Sequence, residues 1–229
     1  MRRGRWFQAW DKRATLEEHA LPDVVTRANG QRSAPFGDGA VQLRDTVVGC
    51  ESCEELFTPD SPHIALGLGG VEILGNGSGS HHELRKLNYR VELMSLATRK
   101  SGGVYLYANQ RGCDGGRLYY DGSCMIFLNG RLLAQGAQFG LRDVEVVTAT
   151  VDLTDVRTYR GAQNARSMQA SVARAVPRVA LSTPLAAADA TAGRICLSTP
   201  RTLSNRTFLI ANMYISFSIC HTPLSLIHI

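Results

Sequence analysis

The sequence predicts a mixed α/β fold, on three observations. Short β-branched and apolar runs recur at Val41 to Leu43, Thr46 to Gly49, Val71 to Leu74 and Val104 to Ala108. One long segment, Glu83 to Lys100, repeats Leu84, Leu87, Val91, Met94 and Leu96 at helical spacing. Asn129-Gly130 lies between two apolar runs, the strongest short-range signal for a hairpin. Periodicity alone leaves open whether strands and helices alternate (α/β) or segregate (α+β).

In chain order, Thr15 to Asn29 opens on a threonine cap and acidic first turn, is interrupted by Pro22 and closes at Asn29-Gly30, which predicts a short helix or two. Val41 to Leu43 and Thr46 to Gly49 form strands joined by Arg44-Asp45. Val71 to Leu74 is a strand before the glycine-rich Asn76 to Ser80, and Glu83 to Lys100 is a helix. Val104 to Ala108 is a strand, Asn109 to Gly116 a loop, and Ser123 to Leu128 pairs with Arg131 to Gln135. Glu145 to Leu153 supplies one more strand. After Arg178 the alanine-rich Leu185 to Gly193 is linker-like, and Phe208 to Ile229 turns apolar. Asn212, His221 and Pro223 interrupt that run, so no membrane anchor is expected. Residues 181–229 are therefore expected to be a linker-like, non-native tail, as from a truncated or mis-spliced transcript, behind a domain of residues 1–180.

With 229 residues, 44% of them hydrophobic, the chain can bury one sizeable core, and its composition excludes global disorder. Its formal charge of +5 is almost all arginine, since lysine occurs only at 12, 86 and 100. The basic residues are scattered rather than gathered in a stripe with aromatics, which argues against a nucleic-acid partner. Six cysteines at irregular spacing, with no secretory signal, predict reduced thiols in the cytoplasm. The sequon at Asn205 then has no use. His81 and His82 lack supporting ligands at zinc spacing, so no metal is expected.

Chemistry concentrates in T-V-V-G-C-E-S-C-E-E-L-F-T-P, Thr46 to Pro59. A β-branched strand delivers Cys53 into an acidic, helix-opening segment, where the amides of the new helix favour the thiolate. The same residues also fit a C-x-x-C redox or half-zinc pair, Cys50 with Cys53. Asn76 to Ser80 is similar to a phosphate-cradling loop but lacks the Lys-Ser/Thr ending.

Three blocks in order bear on that choice: G-C-E-S-C-E-E-L-F-T-P, then N-G-S-G-S-H-H-E-L-R-K, then A-N-Q-R-G-C-D-G-G-R-L-Y-Y-D-G. From about Arg5 to about Arg178 the chain resembles the glutaminase domains of eukaryotic glutamine-dependent NAD synthetases, members of the carbon-nitrogen hydrolase, or nitrilase, superfamily. The resemblance implies a four-layer αββα sandwich, incomplete at its N-terminal side, and reduces redox chemistry to a minor alternative. It implies that Cys53 is the nucleophile, forming a glutamyl thioester. The Glu54 backbone N–H would supply an oxyanion donor. The Glu54 side chain would either face the glutamine amino group or serve as a helix-start acid. Ser80 and Lys86, with Arg85 as neighbour, match positions that bind the amino-acid end of glutamine, a surface salt bridge being the other reading of the basic pair. Cys113, in the C-D-G-G block, is read as structural.

In this superfamily a glutamate base and an oxyanion-stabilising lysine complete the site, on segments before the R-W-F block that begins at Arg5. Glu17, Glu18 and Lys12 sit in no matching motif, so the 229 residues alone are expected to be incompetent. No S-G-G-x-D-S pyrophosphate loop follows Arg178, so ATP and deamido-NAD belong to an absent synthetase domain and no cofactor is expected here. The expected function is thus the glutamine amidotransferase part of such a synthetase, supplying ammonia for amidation of deamido-NAD. Its expected partners are glutamine, the parent's synthetase domain and further copies in a homo-oligomer. Another carbon-nitrogen hydrolase, such as an amidase, and a non-catalytic fragment are the alternatives.

Overall fold

Residues 10–142 and 144–185 are described by a computed structural model of the chain. Strand β1 (Leu16–Ala20) leads through Pro22 into helix α1 (Asp23–Asn29) and returns as β2 (Ser33–Gly37), antiparallel to β1. The helix expected from Thr15 is therefore confined to its second half. Pro22 disfavours helical geometry in the residue before it, and residues 33–37 give 16–20 an extended partner.

Strands β3 (Ala40–Gln42) and β4 (Val47–Ser52) form the expected antiparallel pair. A 3-10 turn, Cys53–Phe57, follows β4 without a spacer, and helix α2 (Pro62–Leu68) leads to β5 (Ile73–Ser78). Helix α3 (Lys86–Ser101) connects to β6 (Val104–Asn109). Two hairpins follow, β7 (Arg111–Asp114) with β8 (Leu118–Asp121) and β9 (Met125–Leu128) with β10 (Arg131–Gln135). At the tip of the second, Asn129 and Gly130 both have positive φ, 49° and 89°, as a primed hairpin turn requires. Helices α4 (Leu153–Gly161) and α5 (Asn164–Val172) precede the edge strand β11 (Arg178–Ala180).

The principal sheet has the order β10-β9-β6-β5-β4-β3-β11, with β4, β5 and β6 parallel. Parallel neighbours need crossovers, and both place their helices on the same face. There Leu56, Leu66 and Met94 pack against Val47, Leu74, Tyr105 and Phe127 in one core. On the opposite face Ile73, Val104 and Ile126 meet Val151, Leu153 and Val156. The arrangement is the mixed α/β class expected. Of the four layers of an αββα sandwich, the described residues supply a helical layer and one full sheet, with residues 144–152 and α4 lying over the sheet's other side.

Four further local expectations differ from what is found. The glycine-rich stretch after Leu74 continues as strand to Ser78, because β5 lies between two parallel neighbours that satisfy its amides on both edges. The expected loop after Asn109 is the β7–β8 hairpin, turning at Gly115 and Gly116. Helix α3 begins at Lys86 rather than Glu83, leaving Leu84 exposed ahead of it; Leu96 is also exposed, and the buried face is Arg90, Met94, Ala97 and Thr98. The strand expected at Glu145 to Leu153 is extended, with Val147, Ala149 and Val151 turned onto the sheet, but it joins no ladder among the described residues.

The main chain stays on the body to Leu185, whose N–H donates to Asp45 at 2.8 Å, after β11 has paired with β3. The expectations for the R-W-F block, residues 186–229, the Asn205 sequon, Cys196 and Cys220 lie outside the described residues. Among the described residues no helix is long and apolar enough to cross a membrane.

Phe127 is wholly buried on the helix side of the sheet. Phe127→Ala is expected to cost about 3–5 kcal/mol of stability, measured by urea unfolding.

Candidate active site

The carboxyl ends of β4, β5 and β6 lie side by side, and the register lines up their residues: Glu51 beside Asn76 beside Tyr107, then Ser52 beside Gly77 beside Ala108. Side chains alternate along each strand. Val47, Gly49 and Glu51 face the helices, whereas Val48, Cys50 and Ser52 face the other side.

Cys53 is the first residue after β4 and opens the 3-10 turn with φ 40°. A left-handed conformation in a residue with a β-carbon costs about 1–3 kcal/mol and persists only where surrounding contacts enforce it. The Cys53 N–H donates to Asn76 Oδ1 at 3.0 Å, and the Ser52 N–H donates to the Glu55 carboxylate at 2.8 Å. The amide of Glu54 follows, inside the first turn where helical amides have no partner of their own. The Glu54 side chain is exposed, and Glu54 and Glu55 stand at the turn's positive end.

Under the elbow runs a buried polar row. The Asn76 side-chain nitrogen donates to the Tyr105 hydroxyl at 2.8 Å, and that hydroxyl donates to Glu51. Burial and the neighbouring Glu51 carboxylate push the Tyr105 phenol well above its ordinary range, which keeps it a donor. Glu51 also accepts the His63 amide at 2.9 Å and faces His63 Nδ1 at 3.0 Å. Tyr107, in register with Asn76, is buried beside Ser78 and Ser80, and burial raises its phenol against the lowering effect of Arg90.

Beyond β5 the chain is fixed by a buried ion pair. Arg90 and Asp121 are both wholly buried, with Arg90 donating to the two carboxylate oxygens at 2.9 and 3.1 Å. The same guanidinium reaches Ser80 Oγ at 3.2 Å and the carbonyls of Ser80 and His81 at 3.0 and 3.1 Å. Asn109 closes the other side, accepting the Ser80 amide at 2.8 Å. Burial alone would raise the Asp121 carboxyl; hydrogen bonds from Gln138 and Arg90, with the Arg90 charge, outweigh it and hold the group below the ordinary aspartate value of 3.8.

Ser80 is therefore buried at the site's edge. Lys86, in the first turn of α3, has its side chain mostly covered and lies 3.4 Å from Glu83, while Arg85 is exposed with φ 65°. The start of α3 packs on the 3-10 turn through Phe57 and Tyr89, whose rings lie 5.6 Å apart. Cys50 and Cys53 are both free thiols. Cys50 is reached by solvent but surrounded on most sides by protein, and burial pushes its thiol above the ordinary 9.0. Cys113 is exposed on β7. Among the described residues, no three His, Cys, Asp or Glu side chains are placed to hold a metal ion.

The residues that sequence reasoning left out are Glu51, His63, Asn76, Arg90, Asn109 and Asp121. Four carried a legible signal, since Glu51, Asn76, Asn109 and Asp121 fall inside the quoted blocks. Arg90 carried none, because a charged residue in an amphipathic pattern reads as surface.

The profile of the family described as carbon-nitrogen hydrolase matches residues 2–161. The chain is 60% identical over 169 residues to the glutamine-dependent NAD(+) synthetase of Saccharomyces cerevisiae, which covers 74% of the chain and 24% of that protein. To the synthetase of the same name from Dictyostelium discoideum it is 56% identical over 178 residues, 78% of the chain and 25% of the relative. It thus spans about a quarter of the length of these curated relatives. A crystal structure of a glutamine-dependent NAD(+) synthetase from Cytophaga hutchinsonii superposes with a TM-score of 0.50 at 26% identity, over 62% of this chain and 21% of that one.

Two outcomes follow from this geometry. Asp121→Asn leaves a buried guanidinium without its counter-charge and is expected to cost about 3–5 kcal/mol in urea unfolding. Because the folded-state pKa of Asp121 is depressed, its contribution is present above pH 3.8 and lost as pH falls through the lower folded value; the Asn variant should lack that acid-dependent component. Iodoacetamide near neutral pH should modify Cys53 before Cys50, and Cys50 should react readily only above pH 9.0, as read by peptide mass spectrometry.

Proposed function

Because the chain belongs to the carbon-nitrogen hydrolase family, we propose that it carries the glutamine-hydrolysing step of a glutamine-dependent NAD(+) synthetase. One observation carries this reading: a free cysteine held at φ 40° on the bend between a parallel strand and a helical turn, in a chain that is 60% identical over 169 residues to a glutamine-dependent NAD(+) synthetase.

In the proposed reaction the Cys53 thiolate adds to the side-chain carboxamide carbon of glutamine. The negative oxygen of the tetrahedral intermediate is met by the Glu54 amide, in the first turn after the nucleophile, while the Cys53 amide stays on Asn76. Collapse breaks the carbon–nitrogen bond, the nitrogen leaves with a proton as ammonia, and a glutamyl thioester remains. Water then cleaves the thioester to glutamate and the free thiol. Ser80 and Lys86 hold the amino-acid end, with Lys86 the better placed cation because its side chain is covered while Arg85 stands in solvent. The proton on the thiol and the second oxyanion contact call for a glutamate and a lysine of the parent protein. Ammonia passes to its synthetase part, where ATP and deamido-NAD would be bound, in a cytoplasmic homo-oligomer.

The test is ammonia release from glutamine by the chain joined behind the segment that precedes the R-W-F block in a relative. Turnover is expected, with Cys53→Ala abolishing it, whereas undiminished turnover in that variant would overturn the reading. The 229 residues alone should be slower by about 10²–10⁴, the usual worth of a general base.

A further inference from the structure

Nucleophilic attack at Cys53 makes no direct use of the polar row beneath it. Asn76, Tyr105 and Glu51 are 0%, 1% and 2% exposed. From Cys53 and His63 the donors converge on Glu51. The Cys53 amide and the Ser78 hydroxyl donate to Asn76 Oδ1 at 3.0 and 2.9 Å, Asn76 donates to Tyr105, Tyr105 donates to Glu51, and His63 closes the far end on the same carboxylate. A buried carboxylate is costly to desolvate even with donors around it, and apolar side chains of like size would pack at no such cost. Packing therefore does not explain the row.

Its position does. The row draws on four separate elements, β4, β5, β6 and the first turn of α2, and ends on the backbone amide of the one left-handed residue of the elbow. Asn76 is fixed from both ends of its amide group, so its oxygen cannot swing away to release Cys53 without breaking the bond to Tyr105. We propose that Asn76, Tyr105, Glu51 and His63 form a positioning relay that enforces the left-handed conformation of Cys53, aims its thiol, and reserves the Glu54 amide rather than that of Cys53 for the oxyanion. These are positioning residues, since none needs to touch the substrate. The proposal rests on the reading of Cys53 as nucleophile and assigns the support for it.

The relay is tested in the 229-residue chain, unaltered and as Asn76→Ala and Tyr105→Phe. Tyr105→Phe keeps the ring in the core and removes only the hydroxyl, so it serves should Asn76→Ala fail to fold. Hydrogen exchange of the Cys53 amide, followed by NMR, should speed up by about tenfold in each variant, the equivalent of one net hydrogen bond. Cys53 should also react several-fold more slowly with iodoacetamide. Exchange at Leu106 and Ile126 in the β6–β9 ladder, and alkylation of Cys113, should stay unchanged. Unchanged Cys53 exchange in the variants overturns the relay, and so does a change shared by the ladder amides and Cys113, which marks general loosening. Retained ammonia release in the Cys53→Ala fusion sinks the nucleophile reading instead, and leaves the exchange result to be judged by itself.

Discussion

The site depends on the register of three parallel strands. With Glu51 beside Asn76 beside Tyr107, every polar group of the row faces the helices and the elbow emerges directly above them. Strand side chains alternate, so a slip of one residue in β4 would turn Glu51 toward the opposite face and bring Cys50 inward. The apolar pattern prevents this: Val47 and Leu74 lock into the helix-side core while Val48 and Ile73 serve the other. Gly49 adds a steric constraint, since a β-carbon there would stand 3.1 Å from Val71 and 3.3 Å from Leu66 of α2. Register is thus set by ordinary packing at the lower end of the strands and expressed as chemistry at the upper end.

Buried charge serves a second purpose in the segment between β5 and α3. Arg90 could have been replaced in a helix core by a leucine without desolvation cost. What a leucine cannot do is bind two consecutive carbonyls, a serine hydroxyl and a carboxylate from a hairpin at once. One guanidinium therefore fixes the backbone of residues 80–81 relative to α3 and β8, and Asn109 fixes the opposite side. Ser80 is held without relying on loop stiffness, and Lys86 inherits its place as the first residue of the same helix.

Much of this was legible in the sequence where local pattern and tertiary demand agree. The Asn129-Gly130 turn, the β3–β4 pair, β6 and the strand-to-turn bend at Cys53 all follow from residues whose preferences match their final conformation. The misses share a physical cause. Leu16–Ala20 is extended because Ser33–Gly37 pairs with it, and Gly75 and Gly77 are strand because β4 and β6 enclose them. Both are cases in which long-range pairing overrides local propensity. At the candidate site, the sequence blocks single out Cys53, Ser80 and Lys86, and the fold places all three around the carboxyl ends of β4 and β5 and the start of α3. Which partners the supporting residues take could not be read, because Asp121 lies 31 residues from Arg90 and Tyr105 lies 54 from Glu51. No local period reports such partners.

The two faces of the sheet meet different demands, and the difference bears on where chemistry can occur. On the helix side the core is continuous and carries the polar row. On the other side residues 144–152 are held by alternate side chains, among them Glu145, which accepts the Ala137 amide, without ladder bonds among the described residues, and their downstream end is fastened by α4. Arg157 binds Glu72 and the Asp45 carbonyl, and Arg160 bonds the carbonyls of Val71, Ser101 and Gly102. Burial and the nearby Arg166 lower Arg160 to about 10, which still leaves it charged at neutral pH. These anchors grip the amino-terminal ends of β4, β5 and β6, around residues 45, 71–72 and 101–102. The strands are therefore tied at both ends, by these arginines at the end opposite Cys53 and by the Asn76 and Arg90 networks at the carboxyl ends, where the Cys53 backbone is held from beneath.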